Sequence, residues 1–92
     1  MASIRRAKKD LNYLVDEVIG TALITQFNKP DKFQELEKVI DEIADFNEEM
    51  TIKINNPVLA EGETKKKYFR KIYNELLAKV NTSFDTIHEL SK

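Results

Sequence analysis

The sequence predicts an all-α fold, an antiparallel up-down-up three-helix bundle with long helices. Three amphipathic segments fill nearly all of its 92 residues, and two glycines and two prolines leave little room for loops. In the middle segment, seam positions recur at alternating spacings of three and four, which is the pattern of a helix packed against other helices. These positions are Phe33, Leu36, Ile40, Ile43, Asn47, Met50 and Ile54.

Composition limits the class of protein. Apolar residues make up 41% of the chain, enough for one core, so residues 1–92 are predicted to form a single domain. The absence of cysteine excludes disulfides and thiolate metal sites. The net charge of -1 gives no overall attraction to nucleic acid or anionic lipid. Without a signal peptide or an apolar run of about 18 residues, we expect a cytoplasmic protein that does not bind membranes.

The first helix is predicted to run from Ser3, a candidate N-cap, to Phe27. Gly20 interrupts it at a cost of about 1 kcal/mol relative to alanine. Asn28-Lys29-Pro30 should end this helix and start the next, because proline suits the first turn of a helix. The apolar stripe of the first helix is Ile4, Ala7, Leu11, Leu14, Val15, Val18, Ala22 and Thr25.

The second helix is predicted over Pro30 to Asn55, and Pro57 prevents it from continuing. We expect the loop 57–63 to lie over the end of the bundle, because Val58, Leu59 and Ala60 are apolar. The third helix should begin after the candidate N-cap Thr64. Its apolar face is Phe69, Ile72, Tyr73, Leu76, Leu77, Val80, Phe84, Ile87 and Leu90. The predicted centre of the core is Leu11, Leu14, Val18, Leu36, Ile40, Ile43, Ile72, Leu76 and Val80.

The apolar faces of the second and third helices are wider than a two-residue seam. One interpretation is a globular core, which uses about three apolar positions per heptad. The other is an exposed edge that forms a homodimer or receives a partner helix. Candidate interface residues for the second interpretation are Phe46, Tyr68, Tyr73 and Leu77.

Asn47 is a polar residue in an otherwise apolar seam. Such a residue can set helix register and oligomeric state. Alternatively, the seam opens at Asn47 and Phe46 fills the core instead, which is the interpretation that we prefer.

Basic residues concentrate at one predicted pole, where the first and third helices begin and the second ends. Ten of the 15 basic residues lie there: Arg5, Arg6, Lys8, Lys9, Lys53, Lys65, Lys66, Lys67, Arg70 and Lys71. Helix N-termini already favour anions, so cations there could contact phosphate or nucleic acid, with Tyr68 and Phe69 as stacking surfaces. The alternative is a solvated face, neutralised by Asp45, Glu48 and Glu49.

Motifs for catalysis or metal binding are not found in the sequence. His88 is the single histidine, with Asp85 one turn before it, and there is no Glu-x-x-His motif. There is no cysteine nucleophile and no glycine-rich phosphate loop. We therefore expect no enzymatic activity and no cofactor or metal.

The segment from Arg5 to Val18 resembles the N-terminus of small uncharacterised all-helical proteins of Bacteroidetes. The later patterns Ile54-Asn55-Asn56-Pro57 and Tyr68-x-x-x-Ile72-Tyr73 are compatible with the same group. The resemblance implies a helical bundle with no assigned activity, cofactor or partner. The sequence therefore predicts a non-enzymatic protein–protein interaction module that acts through a helical face and binds another protein or itself. The alternative is nucleic-acid or phosphate-ligand binding at the basic pole.

Overall fold

The computed structural model describes residues 4–92, which form three α-helices that all contact one another. The elements are α1 (Ile4–Asn28), a short 3-10 turn (Pro30–Lys32), α2 (Phe33–Asn55) and α3 (Lys65–Leu90). The predicted all-α three-helix bundle is therefore confirmed. Ser3, the predicted N-cap of the first helix, lies outside the described residues.

Contacts between helix ends show that the arrangement is up-down-up. The Tyr73 hydroxyl of α3 donates to Asp10 Oδ2 of α1 at 2.6 Å, so both helices begin at the same end. Lys29 Nζ donates to the carbonyl oxygen of Lys92 at 3.2 Å, so both also finish at the same end. The bundle measures 50 × 19 × 19 Å with a radius of gyration of 14.9 Å. A compact domain of this length would have a radius of about 12 Å, so the long helices make an elongated rod.

The core is a single stripe that follows the bundle axis. Its members recur every three or four residues on each helix, as the sequence pattern predicts. Burying each large aliphatic side chain contributes about 1.5–3 kcal/mol. Of the predicted centre, Leu14 and Ile40 are only partly buried and the others are buried. The buried core is Ala7, Leu11, Val15, Val18, Ala22, Leu36, Val39, Ile43, Met50, Ile54, Phe69, Ile72, Leu76, Val80 and Ile87.

The turn between α1 and α2 depends on a buried glutamine. Gln26 Nε2 donates to the carbonyl oxygen of Phe33 at 3.1 Å and to Glu37 Oε2 at 3.0 Å. Residues 30–32 form the 3-10 turn, so α2 begins three residues later than predicted. The prediction that Phe33 belongs to the seam is wrong, since its side chain is 51% exposed. Gln26 occupies the space between the two helices at this level instead.

The loop between α2 and α3 is held by polar contacts. Glu63 accepts hydrogen bonds from the backbone N–H of Ala60 at 3.1 Å and from Lys71 Nζ at 2.6 Å. Gly62 supplies a φ of 80°, which residues with a Cβ rarely adopt. The predicted apolar cover over the bundle end is wrong, because Val58, Leu59 and Ala60 are exposed. The carboxylate of Glu63 fixes the loop, although Val58, Leu59 and Ala60 are not buried.

The start of α3 agrees with the prediction. Thr64 Oγ1 accepts the backbone N–H of Lys67 at 3.2 Å, so it is the N-cap. The buried stripe of α3 is narrower than the predicted apolar face. Leu77 lies beside the buried Leu76 but one residue further round the helix, and it is 49% exposed. Leu77 therefore lies outside the core, as the interpretation that lists it as a candidate interface residue expects.

Asn47 and Phe46 both lie at the edge of the buried stripe of α2, and neither is fully buried. Asn47 is half-buried, and its Oδ1 is buried without a hydrogen-bond partner in the described part of the chain. Phe46 is partly buried against the core. Asn47, Thr51 and Ile52 line a shallow depression of about 380 Å³ on α2. An amide oxygen that is buried without a partner costs about 1–3 kcal/mol, so we expect Asn47 to lower the stability of the monomer.

Replacing Asn47 with leucine should therefore stabilise the protein. We expect Asn47→Leu to raise the free energy of unfolding by about 1–2 kcal/mol, because the buried oxygen disappears and apolar contact is gained. Urea titration followed by circular dichroism measures this. Asn81→Leu, at an exposed position of α3, is the matched control and should change stability by under about 0.5 kcal/mol. A destabilised Asn47→Leu protein would show that the amide has a partner in solution.

Candidate interaction surfaces

The basic pole is formed as predicted, at the end where α1 and α3 begin. The Tyr68 hydroxyl donates to the carbonyl oxygen of Lys53 at 3.0 Å, which brings the end of α2 to the start of α3. Neither α1 nor α3 has an acidic residue in its first turn. Lys8 is half-buried, while the other cations of the two N-terminal segments are exposed: Arg5, Arg6, Lys9, Lys65, Lys66, Lys67, Arg70 and Lys71.

Several cations of this pole form ion pairs. The pairs are Arg6–Asp10 at 3.4 Å, Lys53–Glu75 at 3.2 Å and Lys71–Glu63 at 2.6 Å. Their carboxylates come from α1, α3 and the loop, whereas the sequence interpretation assigned this role to carboxylates of α2. An exposed pair such as Lys53–Glu75 contributes about 0–1 kcal/mol, so it reduces the local charge more than it stabilises the fold.

Glu63 is the best-held carboxylate of the basic pole. The hydrogen bond from Lys71 and then the backbone N–H of Ala60 lower the pKa of Glu63 below its ordinary value of 4.5. A carboxylate whose pKa is lower in the folded than in the unfolded protein stabilises the fold at pH values above its unfolded-state pKa. That contribution is lost as the pH falls through the folded-state pKa. Glu63 thus remains ionised and bound to Lys71 at neutral pH.

Tyr73 connects α1 and α3 and is not a free surface residue. Burial, followed by the hydrogen bond to Asp10 and the negative charge of Asp10, raises the pKa of Tyr73 to about 12. The charge of Arg6 acts in the opposite direction. Tyr73 therefore contributes to packing between helices as a neutral hydrogen-bond donor.

Three of the four predicted interface residues are occupied within the bundle. Phe46, Tyr68 and Tyr73 are partly buried and pack against the core. The rings of Tyr68 and Phe69 meet edge to face, with centroids 5.8 Å apart and planes at 88°. Phe69 is buried, so it offers no stacking surface for a base. Leu77 alone of the four is exposed.

A different apolar surface, which sequence reasoning missed, lies on α1. Leu23, Ile24 and Phe27 are 52%, 65% and 86% exposed. We call these three side chains the α1 outer patch. Residues 18–28, with the sequence VIGTALITQFN, contain no charged residue. This uncharged run, which is apolar on both sides of the helix, is the sequence signal that could have revealed the patch, because such a helix usually has both faces covered.

Gly20 lies one turn before the α1 outer patch. A Cβ added to it would meet no heavy atom within 4 Å apart from its own helix and chain neighbours. Packing within the chain therefore gives no reason for a glycine at this position. The result is a notch in the surface of α1 beside three large exposed side chains.

The described residues contain no group of three or more histidine and acidic side chains that could hold a metal ion. His88 is exposed near the end of α3. None of the described helices combines the length and apolar character needed to cross a membrane.

Comparison with known proteins adds no relative. No protein-family model, curated protein or solved structure matches the chain significantly. The resemblance to Bacteroidetes proteins therefore stays a prediction, and function has to be argued from the surfaces of the bundle.

The Tyr73–Asp10 hydrogen bond yields a prediction about alkaline stability. The raised folded-state pKa means that the stabilisation is complete below pH 10 and is lost as the pH rises from 10 through about 12. Tyr73→Phe should lower the free energy of unfolding at pH 7 by about 1 kcal/mol. It should also flatten the fall in stability above pH 10. Urea midpoints from pH 7 to 12 test both statements.

Tyr13→Phe is the control for this experiment, since Tyr13 is exposed. It should leave the urea midpoints unchanged over the same pH range. Absorbance titration of the three tyrosines should show one late phenol, missing in Tyr73→Phe. A wild-type titration curve without a late phenol would contradict the assignment.

Proposed function

We propose that the protein is a non-enzymatic interaction module that binds a protein partner through the α1 outer patch. The observation that supports this is the exposure of Leu23, Ile24 and Phe27 together on one helix. Single exposed apolar residues are common on folded proteins, whereas contiguous exposed apolar patches mark interaction sites.

The spacing of the patch suits recognition of a helix. Gly20, Leu23, Ile24 and Phe27 stand at positions i, i+3, i+4 and i+7 of α1. This is the spacing by which an amphipathic helix presents anchors to a groove or to another helix. Phe27, the aromatic and most exposed residue of the patch, is the expected anchor, because aromatic side chains bury about 150–250 Å² each.

Site-specific photo-crosslinking tests the proposal. A benzophenone amino acid replaces Ile24 in the tagged protein, which is expressed and irradiated in the source organism. We expect a defined protein adduct, because the probe lies in the centre of the patch. The matched control carries the same probe at Ile52, an equally exposed apolar residue of α2. Adduct formation at position 24 should decrease strongly when Phe27 is also changed to alanine.

Equal and diffuse labelling from positions 24 and 52, insensitive to Phe27→Ala, would mean that the patch binds no specific partner.

A second candidate function is phosphate or nucleic-acid binding at the basic pole. It is favoured by Lys65, Lys66 and Lys67, which are exposed in the first turn of α3. The first turn has no acidic residue, and the backbone N–H groups that the Thr64 cap leaves free attract anions. An anionic backbone could therefore contact three lysines and a helix N-terminus together.

Salt dependence distinguishes this function from non-specific attraction. We expect a fluorescent oligonucleotide to bind with an affinity that falls steeply with salt. Changing Lys65, Lys66 and Lys67 to glutamine should lower the slope of log K against log salt by roughly 2–3. The control changes Lys29, Lys32 and Lys38 to glutamine, which removes the same charge from the opposite end. Equal losses in both triple variants would contradict a site at the basic pole.

A further inference from the structure

We infer that the basic pole binds an anionic lipid surface, with the bundle standing on its end and Val58 and Leu59 entering the headgroup region. This inference rests on the second candidate function, phosphate binding at the basic pole, and names lipid headgroups as the source of the phosphate. Three features support it: the charge of this end of the bundle, the apolar side chains exposed among its cations, and the opposite charge of the remaining chain.

The charge of the chain is divided along the bundle axis. The end that holds the basic pole, residues 4–10 and 49–71, contains ten basic and four acidic side chains, a net charge of +6. The whole chain has a net charge of -1, so the remaining residues carry -7. An anionic surface therefore attracts this end and repels the rest of the molecule. The division favours a 50 Å rod that stands upright on the surface over one that lies flat.

Most cations of this end are not engaged in ion pairs. Arg6, Lys53 and Lys71 each contact a carboxylate. Each basic side chain near an anionic membrane strengthens binding about fivefold, so a cluster of unpaired cations is typical of a surface that binds acidic headgroups. Seven cations of this end form no ion pair within the described residues: Arg5, Lys8, Lys9, Lys65, Lys66, Lys67 and Arg70.

Large apolar side chains lie exposed among these cations. Val58 is 79% exposed and Leu59 is 40% exposed, in the loop that joins α2 to α3. Ile4 at the start of α1 and Ile52 in the last turn of α2 are also exposed at this end. The phosphate backbone of a nucleic acid gives such aliphatic side chains nothing that would bury them. The boundary between lipid headgroups and acyl chains does, and proteins that lie on membranes combine apolar and basic residues in this way.

The loop holds its apolar residues on an ordered support. The backbone N–H of Glu63 donates to the carbonyl oxygen of Ala60 at 2.9 Å, and the Glu63 carboxylate accepts the backbone N–H of Ala60 in return. These two hydrogen bonds close residues 60–63 into a turn directly after Leu59. Binding therefore does not have to order the loop, which would reduce the affinity. Glu61 is an exposed carboxylate in this turn, and the three lysines at 65–67 outnumber it.

The inferred binding is peripheral, since side chains enter the headgroup region and none of the described helices crosses the bilayer. The expectation that the chain does not bind membranes came from its overall charge and from its lack of a long apolar run. Neither property describes how charges and apolar side chains are distributed over the folded surface.

This orientation leaves the α1 outer patch free to bind a protein partner. Ile24 lies 20 residues beyond Ile4 in the same helix. At the rise of an α-helix this is about 30 Å along the axis, away from the membrane. Both surfaces can therefore be occupied at the same time.

Tryptophan fluorescence tests the orientation, since the chain contains no tryptophan of its own. Val58→Trp protein is mixed with phosphatidylcholine vesicles that contain about 30% phosphatidylserine, at about 0.1 M salt. We expect the emission to shift to the blue as the indole enters the headgroup region, and not to shift with pure phosphatidylcholine vesicles. The matched control, Phe33→Trp, carries the probe at an exposed apolar residue of the opposite end and should show no shift. A shift that is absent at position 58, or equally large at position 33, would overturn the inference.

Sedimentation with the same anionic vesicles measures the affinity. Changing Val58 and Leu59 together to serine should weaken binding about tenfold, because less apolar surface is buried. Changing Lys65, Lys66 and Lys67 to glutamine should weaken it at least about twentyfold. The control changes Leu23 and Ile24 to serine, an exposed apolar pair outside the basic pole, and should leave binding unchanged. Circular dichroism checks that each variant is folded, and vesicle binding that is insensitive to the serines at 58 and 59 would contradict the inference.

A fluorescent oligonucleotide separates this inference from the second candidate function. If the protein binds both ligands, the serines at 58 and 59 should weaken only the binding to vesicles, whereas the lysine variant should weaken both. Binding of the oligonucleotide without binding of the vesicles overturns the inference and supports a nucleic-acid site. If neither ligand binds, the inference and the second candidate function both fail, and the photo-crosslinking test at Ile24 is independent of this result.

Discussion

The whole structure depends on burying one narrow apolar stripe on each of three helices. Stripe residues recur at spacings of three and four, so each helix can bury a single line of side chains against the other two. Length follows from this constraint, because a thin core accumulates enough buried area only by extending along the axis. The bundle is 50 Å long and 19 Å wide for this reason. A stripe this narrow also leaves most of each helix surface free for other uses, whether solvated charges or contacts with partners.

Periodicity predicted the interior of each helix better than its ends. Leu36, Ile43 and Ile54 are buried where the spacing put them, because the core has the same period as the helix. Phe33 follows that spacing but is exposed, since α2 begins only after a 3-10 turn and Gln26 fills the adjacent space. Val58 and Leu59 are also exposed, although apolar, because the contacts of Glu63 fix their loop. Such contacts between distant residues leave no periodic signal in a sequence.

The surfaces were harder to predict than the core. The basic pole follows from helix order and could be derived from the sequence, whereas its ion pairs with Asp10 and Glu63 depend on side-chain positions. The wide apolar face of α3 suggested an interface, but Tyr68 and Tyr73 use their hydroxyl groups to hold the bundle together. A tyrosine on a helix face can serve a core or an interface, and composition does not distinguish these roles.

The α1 outer patch illustrates a difference between selecting for stability and selecting for association. For the monomer alone, Phe27 would be better replaced by a charged residue, and Gly20 by alanine. Both unfavourable choices occur on one face of α1, seven residues apart. A single exposed phenylalanine or a single helical glycine would need no explanation. Their separation by two helical turns, within the uncharged run of residues 18–28, places both on the same exposed surface of α1.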